Sequence, residues 1–77
     1  KRLPGIIIEI KHHEATDKEQ ADPKLLEKTL EKSAAEALEQ IEKMAYIEEL
    51  KSAGYSQIFK FGTSFSGKNA KVVSKSS

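Results

Sequence analysis

A carboxylate and an ammonium separated by one residue, Glu9-Ile10-Lys11, close an aliphatic run that opens at Ile6. On an extended chain, residues i and i+2 project from the same side, about 6.6 Å apart along the strand. A carboxylate is a hard oxygen ligand suited to Mg2+, which takes one or two of them and keeps several waters. A neighbouring lysine can orient or deprotonate a metal-bound water for attack on a phosphodiester. The backbone carbonyl of Ile10 would add a third oxygen. These groups make half of a metal-assisted hydrolysis site. The plainer reading is a strand whose outer face carries a weak ion pair. Acid-x-Lys also occurs at Asp22-Pro23-Lys24 and Glu49-Leu50-Lys51, but at a helix start and within a helix, where i and i+2 do not face each other.

The elements that must position this pair can be read from turn signals and periodicity. Pro4-Gly5 is a turn signal, and Ile6 to Lys11 follows as a strand with Ile6, Ile8 and Ile10 on one face and Ile7, Glu9 and Lys11 on the other. Apolar positions on both faces suit a strand inside a sheet rather than at its edge. Residues 12–22 are polar and read as a mobile loop. Asp22 is an N-cap candidate with Pro23 at the first helical position. Helical spacing then runs through Leu26, Leu30, Ala34, Ala37, Leu38, Ile41, Met44, Ala45 and Leu50, with Gly54 as the stop. Ser33-Ala34-Ala35-Glu36 has capping-box form, which leaves open a second helix starting at Ser33. Strands are expected near 57–62 and 70–74, with a hairpin loop over 63–69 and a tail fraying from 74 to 77. The order is β-α-β-β, the first two strands parallel and the last two antiparallel.

Seventy-seven residues, 32% charged and 38% hydrophobic with a formal net charge of +1, describe one small globular domain with a thin stability margin. No cysteine is present, so disulfide scaffolds, zinc thiolates and thiol catalysis are excluded. No aliphatic run approaches the roughly 20 residues of a membrane span, and no signal-peptide pattern is visible, so the expected compartment is the cytoplasm. The charge is uneven: residues 1–11 sum to +2, 12–53 to −5 and 54–77 to +4. An acidic outer helix face packed on strands with a basic surface would produce that pattern.

Other chemistry-bearing residues are fewer. His12-His13 are adjacent and splay to opposite sides of an extended chain, which disfavours a joint metal site. The four glycines, 5, 54, 62 and 67, are scattered and make no phosphate-binding loop. Ser64 and Ser66 have no partner histidine at a recognisable spacing. Lys60, Lys68, Lys71 and Lys75 with Phe59, Phe61 and Phe65 would form a basic-aromatic nucleic-acid surface, unless the phenylalanines are core.

The run Gly5-Ile6-Ile7-Ile8-Glu9-Ile10-Lys11 resembles the hydrophobic E-x-K strand of the PD-(D/E)xK nuclease superfamily. Ser33 to Ile41 is similar to the helix that follows this strand in the mostly bacterial branch found behind an AAA-ATPase-like domain. Tyr46, Gly54, the strand Ile58-Phe59-Lys60-Phe61-Gly62 ending in Ser64-Phe65, and the hairpin Lys68-Asn69-Ala70-Lys71-Val72 fit the same pattern. The resemblance covers nearly the whole chain except 12–32, which looks like an insertion. It implies that Glu9 and the Ile10 carbonyl bind Mg2+ or Mn2+ and that Lys11 is the catalytic lysine. Gln40 would match the helix glutamine that supports the site or contacts nucleic acid, and Tyr46 is a further carry-over, six residues beyond the glutamine where many relatives have four. The family's other acid, an aspartate on an upstream strand, has no counterpart among the eight residues before Glu9.

The sequence therefore reads as an α/β, β-α-β-β second half of a restriction-endonuclease-like core, a single partial domain cut from a longer protein. Its expected function is Mg2+-dependent phosphodiester hydrolysis in that parent, with the fragment itself inactive. Expected partners are DNA or RNA through Lys60, Lys68 and Lys71, an N-terminal ATPase-like domain, and a second copy through an open sheet edge. The alternative is a non-catalytic module that binds nucleic acid or docks on an ATPase domain, with Glu9 and Lys11 merely paired.

Overall fold

In the computed structural model, residues 3–44 and 46–76 are described, without the side chain of Ser76. Three strands, β1 (Leu3–His12), β2 (Tyr55–Ser66) and β3 (Asn69–Ser76), form one sheet in the order β1-β2-β3. The first pair is parallel and the second antiparallel. Between β1 and β2 the chain makes α1 (Asp17–Ala21), α2 (Pro23–Lys43) and α3 (Tyr46–Ser52). This is the expected α/β, β-α-β-β order.

The helix α2 starts where the sequence asks it to. Asp22 accepts hydrogen bonds from the backbone N–H groups of Lys24 (3.1 Å) and Leu25 (3.3 Å), and Pro23 follows at the first helical position. Its buried stripe, Leu26, Leu30, Ala34, Ala37 and Ile41, has the 3–4 spacing of a helix face laid on a sheet. The helix is continuous through Ser33, whose S-x-x-E motif lies mid-helix. It stops at Lys43 rather than near Gly54, and Met44 is extended (φ −90°, ψ 152°). The chain resumes as α3, which places Leu50 against the start of the sheet beside Gly5. Gly54 at φ +104° then ends α3.

The face of the sheet under the helices carries Gly5, Ile7, Glu9 and Lys11 from β1, in register with Ile58, Lys60, Gly62 and Ser64 from β2. All four β2 residues are buried. Contact is tightest at Gly62: a Cβ there would lie 2.2 Å from the Ala34 carbonyl oxygen and 2.6 Å from the Leu38 nitrogen. Backbone packs directly on backbone, which is why this position carries no side chain.

Among the described residues no helix lies on the opposite face. Ile6 (62% exposed), Ile8, Ile10, Phe65 and Val72 stand open there, with Phe59 and Phe61 half-buried. The accessible surface, 5597 Å2, exceeds the roughly 4,700 Å2 of a compact monomer of 8.6 kDa. The radius of gyration, 14.8 Å, exceeds the roughly 11.5 Å of a compact 77-residue domain.

Two expectations are corrected here. β1 lies at the edge of the sheet and β2 in its centre; apolar residues on both sides of a strand report what its faces meet, not whether it has neighbours. The loop expected over 63–69 is strand as far as Ser66, followed by a two-residue turn with Gly67 at φ +56°. A left-handed first central residue is what a type II′ hairpin requires. β3 runs through Ser74 to Ser76.

Gly62→Ala is expected to lower stability by about 2–3 kcal/mol, because no flexible atom can yield to the new methyl. Gly67→Ala, which meets no neighbour but holds a left-handed backbone, is expected to cost only about 1 kcal/mol. Urea denaturation of both variants checks the ranking, and equal losses would contradict it.

Candidate active site

Glu9 and Lys11 project from the same face of β1, the face on the α2 side, and both are partly accessible. Among the described residues neither joins an ion pair, and they do not pair with each other. Ile10 points its side chain to the open face and is 62% exposed.

Ion pairs fix which flank of α2 looks toward β1. Lys71 of β3 reaches Glu27 (2.8 Å) and Glu31 (3.7 Å), and Lys75 reaches Glu42 (3.4 Å), so that flank faces β3. Gln40 lies two residues from Glu42, about 200° round the helix, on the flank toward β1, where it is exposed. Gly62, the register partner of Glu9, sits beneath Ala34 and Leu38. Gln40 is about one helical turn beyond the Ala34–Leu38 level that rests on Gly62. Tyr46 opens α3, 48% exposed, with no described contact to Glu9 or Lys11.

The basic surface expected on the strands is arranged otherwise. Lys60 is 1% exposed and its Nζ donates to Glu42 Oε1 at 2.9 Å; it faces the helix and presents nothing to a ligand in solution. Burial without a partner would expel the charge, so the ion pair with Glu42 is what allows a lysine there. Lys71 is held by Glu27 and Glu31 on the same face, and those acids keep its ammonium pKa above the usual lysine value. Phe59, Phe61 and Phe65 lie on the opposite face. Alternation thus separates the lysines from the aromatics. Lys68, at the hairpin tip, is exposed and in no ion pair among the described residues.

One cluster was not read from the sequence. Thr16 caps α1 by a capping box: Glu19 N–H donates to Thr16 Oγ1 (3.2 Å), and Thr16 N–H donates to Glu19 Oε1 (2.9 Å). The same carboxylate oxygen lies 2.8 Å from His13 Nε2. The signal, Thr16-Asp17-Lys18-Glu19, was present in the sequence. His13 and Glu19 line an open cleft of about 750 Å3 at the end of the sheet, together with His12, Ser66, Gly67, Lys68 and Asn69. Within the 12–22 segment read as a mobile loop, residues 13–16 are irregular and 17–21 form α1, with His13 and Thr16 tied to Glu19. The Thr16 N–H foremost, then the Thr29 hydroxyl and the His13 imidazole, hold the Glu19 carboxyl down from 4.5 to about 2.

The profile of the PD-(D/E)XK nuclease superfamily matches residues 2–75, nearly the whole chain. The chain belongs to that superfamily. No curated protein and no solved structure matches it. The superfamily generally uses divalent metal ions, and a carboxylate beside a carbonyl has the right hard-oxygen chemistry. The donor count is short: among the described residues no three His, Cys, Asp or Glu side chains converge on one point. No helix among them is long and apolar enough to cross a membrane.

A folded-state pKa below the unfolded value means that Glu19 stabilises the fold above pH 4.5 and that this contribution disappears as pH falls toward 2. Glu19→Gln is expected to flatten the pH dependence of stability between pH 4.5 and 2, measured by urea midpoints. A profile as steep as that of the native chain would show that the capping network does not hold the carboxylate.

Proposed function

We propose that this chain is the E-x-K half of a nuclease-like domain whose longer parent carries out metal-dependent phosphodiester hydrolysis. The observation that carries the reading is the common projection of Glu9 and Lys11 from β1, neither of them spent on another partner among the described residues, beside the flank of α2 that bears Gln40. Glu9 and the Ile10 carbonyl are the oxygen donors for Mg2+ or Mn2+. Such an ion, when bound, supplies Lewis-acid stabilisation of the phosphoryl oxygens and a more acidic water. Lys11 donates to a phosphate oxygen or orients the attacking water, and the Gln40 amide supports the site. One carboxylate holds Mg2+ weakly, so these 77 residues are not sufficient for cleavage. The substrate in this reading is DNA or RNA, with Lys68 and the part-exposed Lys71 nearest to the backbone.

A second reading is favoured by the bare apolar face and the free edge of β1: a non-catalytic module that docks on a protein partner. An ATPase-like domain of the same polypeptide, or a second copy pairing along β1, would fill that role in the cytoplasm of a bacterium.

Titration with Mn2+ separates the two. Nuclease descent predicts selective broadening of the Glu9 and Ile10 amide signals, abolished by Glu9→Ala, with no nicking of plasmid by the isolated chain. Broadening confined to Glu14, Asp17 and their neighbours would favour the docking module. Nicking that is lost in Glu9→Ala would show that the 77 residues are sufficient after all.

A further inference from the structure

Ser64 is completely buried, and its hydroxyl oxygen has no hydrogen-bond partner. A native protein rarely leaves such a group orphaned, because it forfeits its bonds to water without replacement. The side chains that α2 buries against the sheet are Leu26, Leu30, Ala34, Ala37 and Ile41, none of which can donate or accept. On the sheet, Ser64 has one register neighbour on each side, Lys11 on β1 and Lys71 on β3. Lys71 is committed to Glu27 and Glu31. Lys11 is in no ion pair or side-chain hydrogen bond among the described residues.

We infer that Ser64 is the positioning residue for Lys11, its hydroxyl oxygen accepting a hydrogen bond from the Lys11 ammonium. Neighbouring strands lie about 4.8 Å apart, so a lysine stem of four methylenes folds back across that gap with length to spare. An ammonium has three donors and no acceptor, and a hydroxyl oxygen has two lone pairs, so one rotamer change gives the Ser64 oxygen a donor and the ammonium a fixed acceptor. The contact draws the ammonium in along the face shared with Glu9 instead of leaving it to sweep through solvent. Two donors remain free for a phosphate oxygen or a water. This rests on the reading of Lys11 as the lysine of the site, and it adds a residue on β2 to a site otherwise built from β1 and α2.

The test uses the 77-residue chain labelled with 15N. Lysine ammonium signals survive solvent exchange when the group is held by a hydrogen bond, and Lys11→Met identifies the Lys11 signal by its loss. The expected result is a Lys11 ammonium signal in the native chain that vanishes in Ser64→Ala while the amide spectrum stays folded. In a double-mutant cycle, Lys11→Met should lower the folded-to-unfolded ratio about fivefold in the native background and less than about twofold in the Ser64→Ala background. A Lys11 signal that is absent from the native chain, or unchanged in Ser64→Ala, would overturn the inference, as would an additive cycle. Broadening by Mn2+ at Glu9 judges the nuclease reading separately, since it requires neither Ser64 nor Lys11.

Discussion

The close approach of α2 to β2 at Gly62 is the constraint on which the rest of the structure depends. With the Ala34 carbonyl only 2.2 Å from where a Cβ would sit, helix and strand touch through their backbones. Small side chains follow on the same face, Ser64 and Ser66, since larger ones would lift the helix. The register then puts Glu9 opposite Gly62 and Lys11 opposite Ser64. An acid and an amine so placed stand at the rim of the helix-covered face, partly shielded and, among the described residues, without the acidic partners that hold Lys60, Lys71 and Lys75. A looser packing would leave the same residues on an ordinary wet strand.

That constraint also explains which parts of the fold were legible in sequence. Strand alternation placed Glu9 and Lys11 together correctly, because period 2 is local and does not depend on what covers the strand. The Asp22-Pro23 start of α2 was equally legible, since the cap and the fixed proline φ act within one turn. Thr63-Ser64-Phe65-Ser66 looked like loop because serine is polar, whereas here serine is used for being small. Lys60 looked like surface because lysine is rarely buried, and nothing local announces that Glu42, eighteen residues earlier, will meet it. Two capping-box patterns were present, and only the one at Thr16 caps a helix; the one at Ser33 lies ten residues inside a helix already started at Pro23.

The two faces of the sheet have different needs. Under α2 the interface is built from small residues and three lysines neutralised by helix carboxylates. On the other side Ile6, Ile8 and Ile10 line up with Phe59 and Phe61 across β1 and β2, with no charged side chain among them. A pair of parallel strands ordinarily has both faces covered, and the excess of accessible surface over that of a compact monomer is about what one partner contributes to a standard interface. Membership of the PD-(D/E)XK superfamily is shown by the match over 2–75, and among the described residues no element covers the Ile6, Ile8 and Ile10 face.

An anomalous-scattering map from a crystal of the chain soaked in Mn2+ tests the central claim most directly. The account requires a peak within coordination distance of the Glu9 carboxylate, on the α2 side of β1, with the Lys11 ammonium on the same side. Glu9 and Lys11 turned to opposite faces, or Mn2+ bound only at other carboxylates, would contradict it.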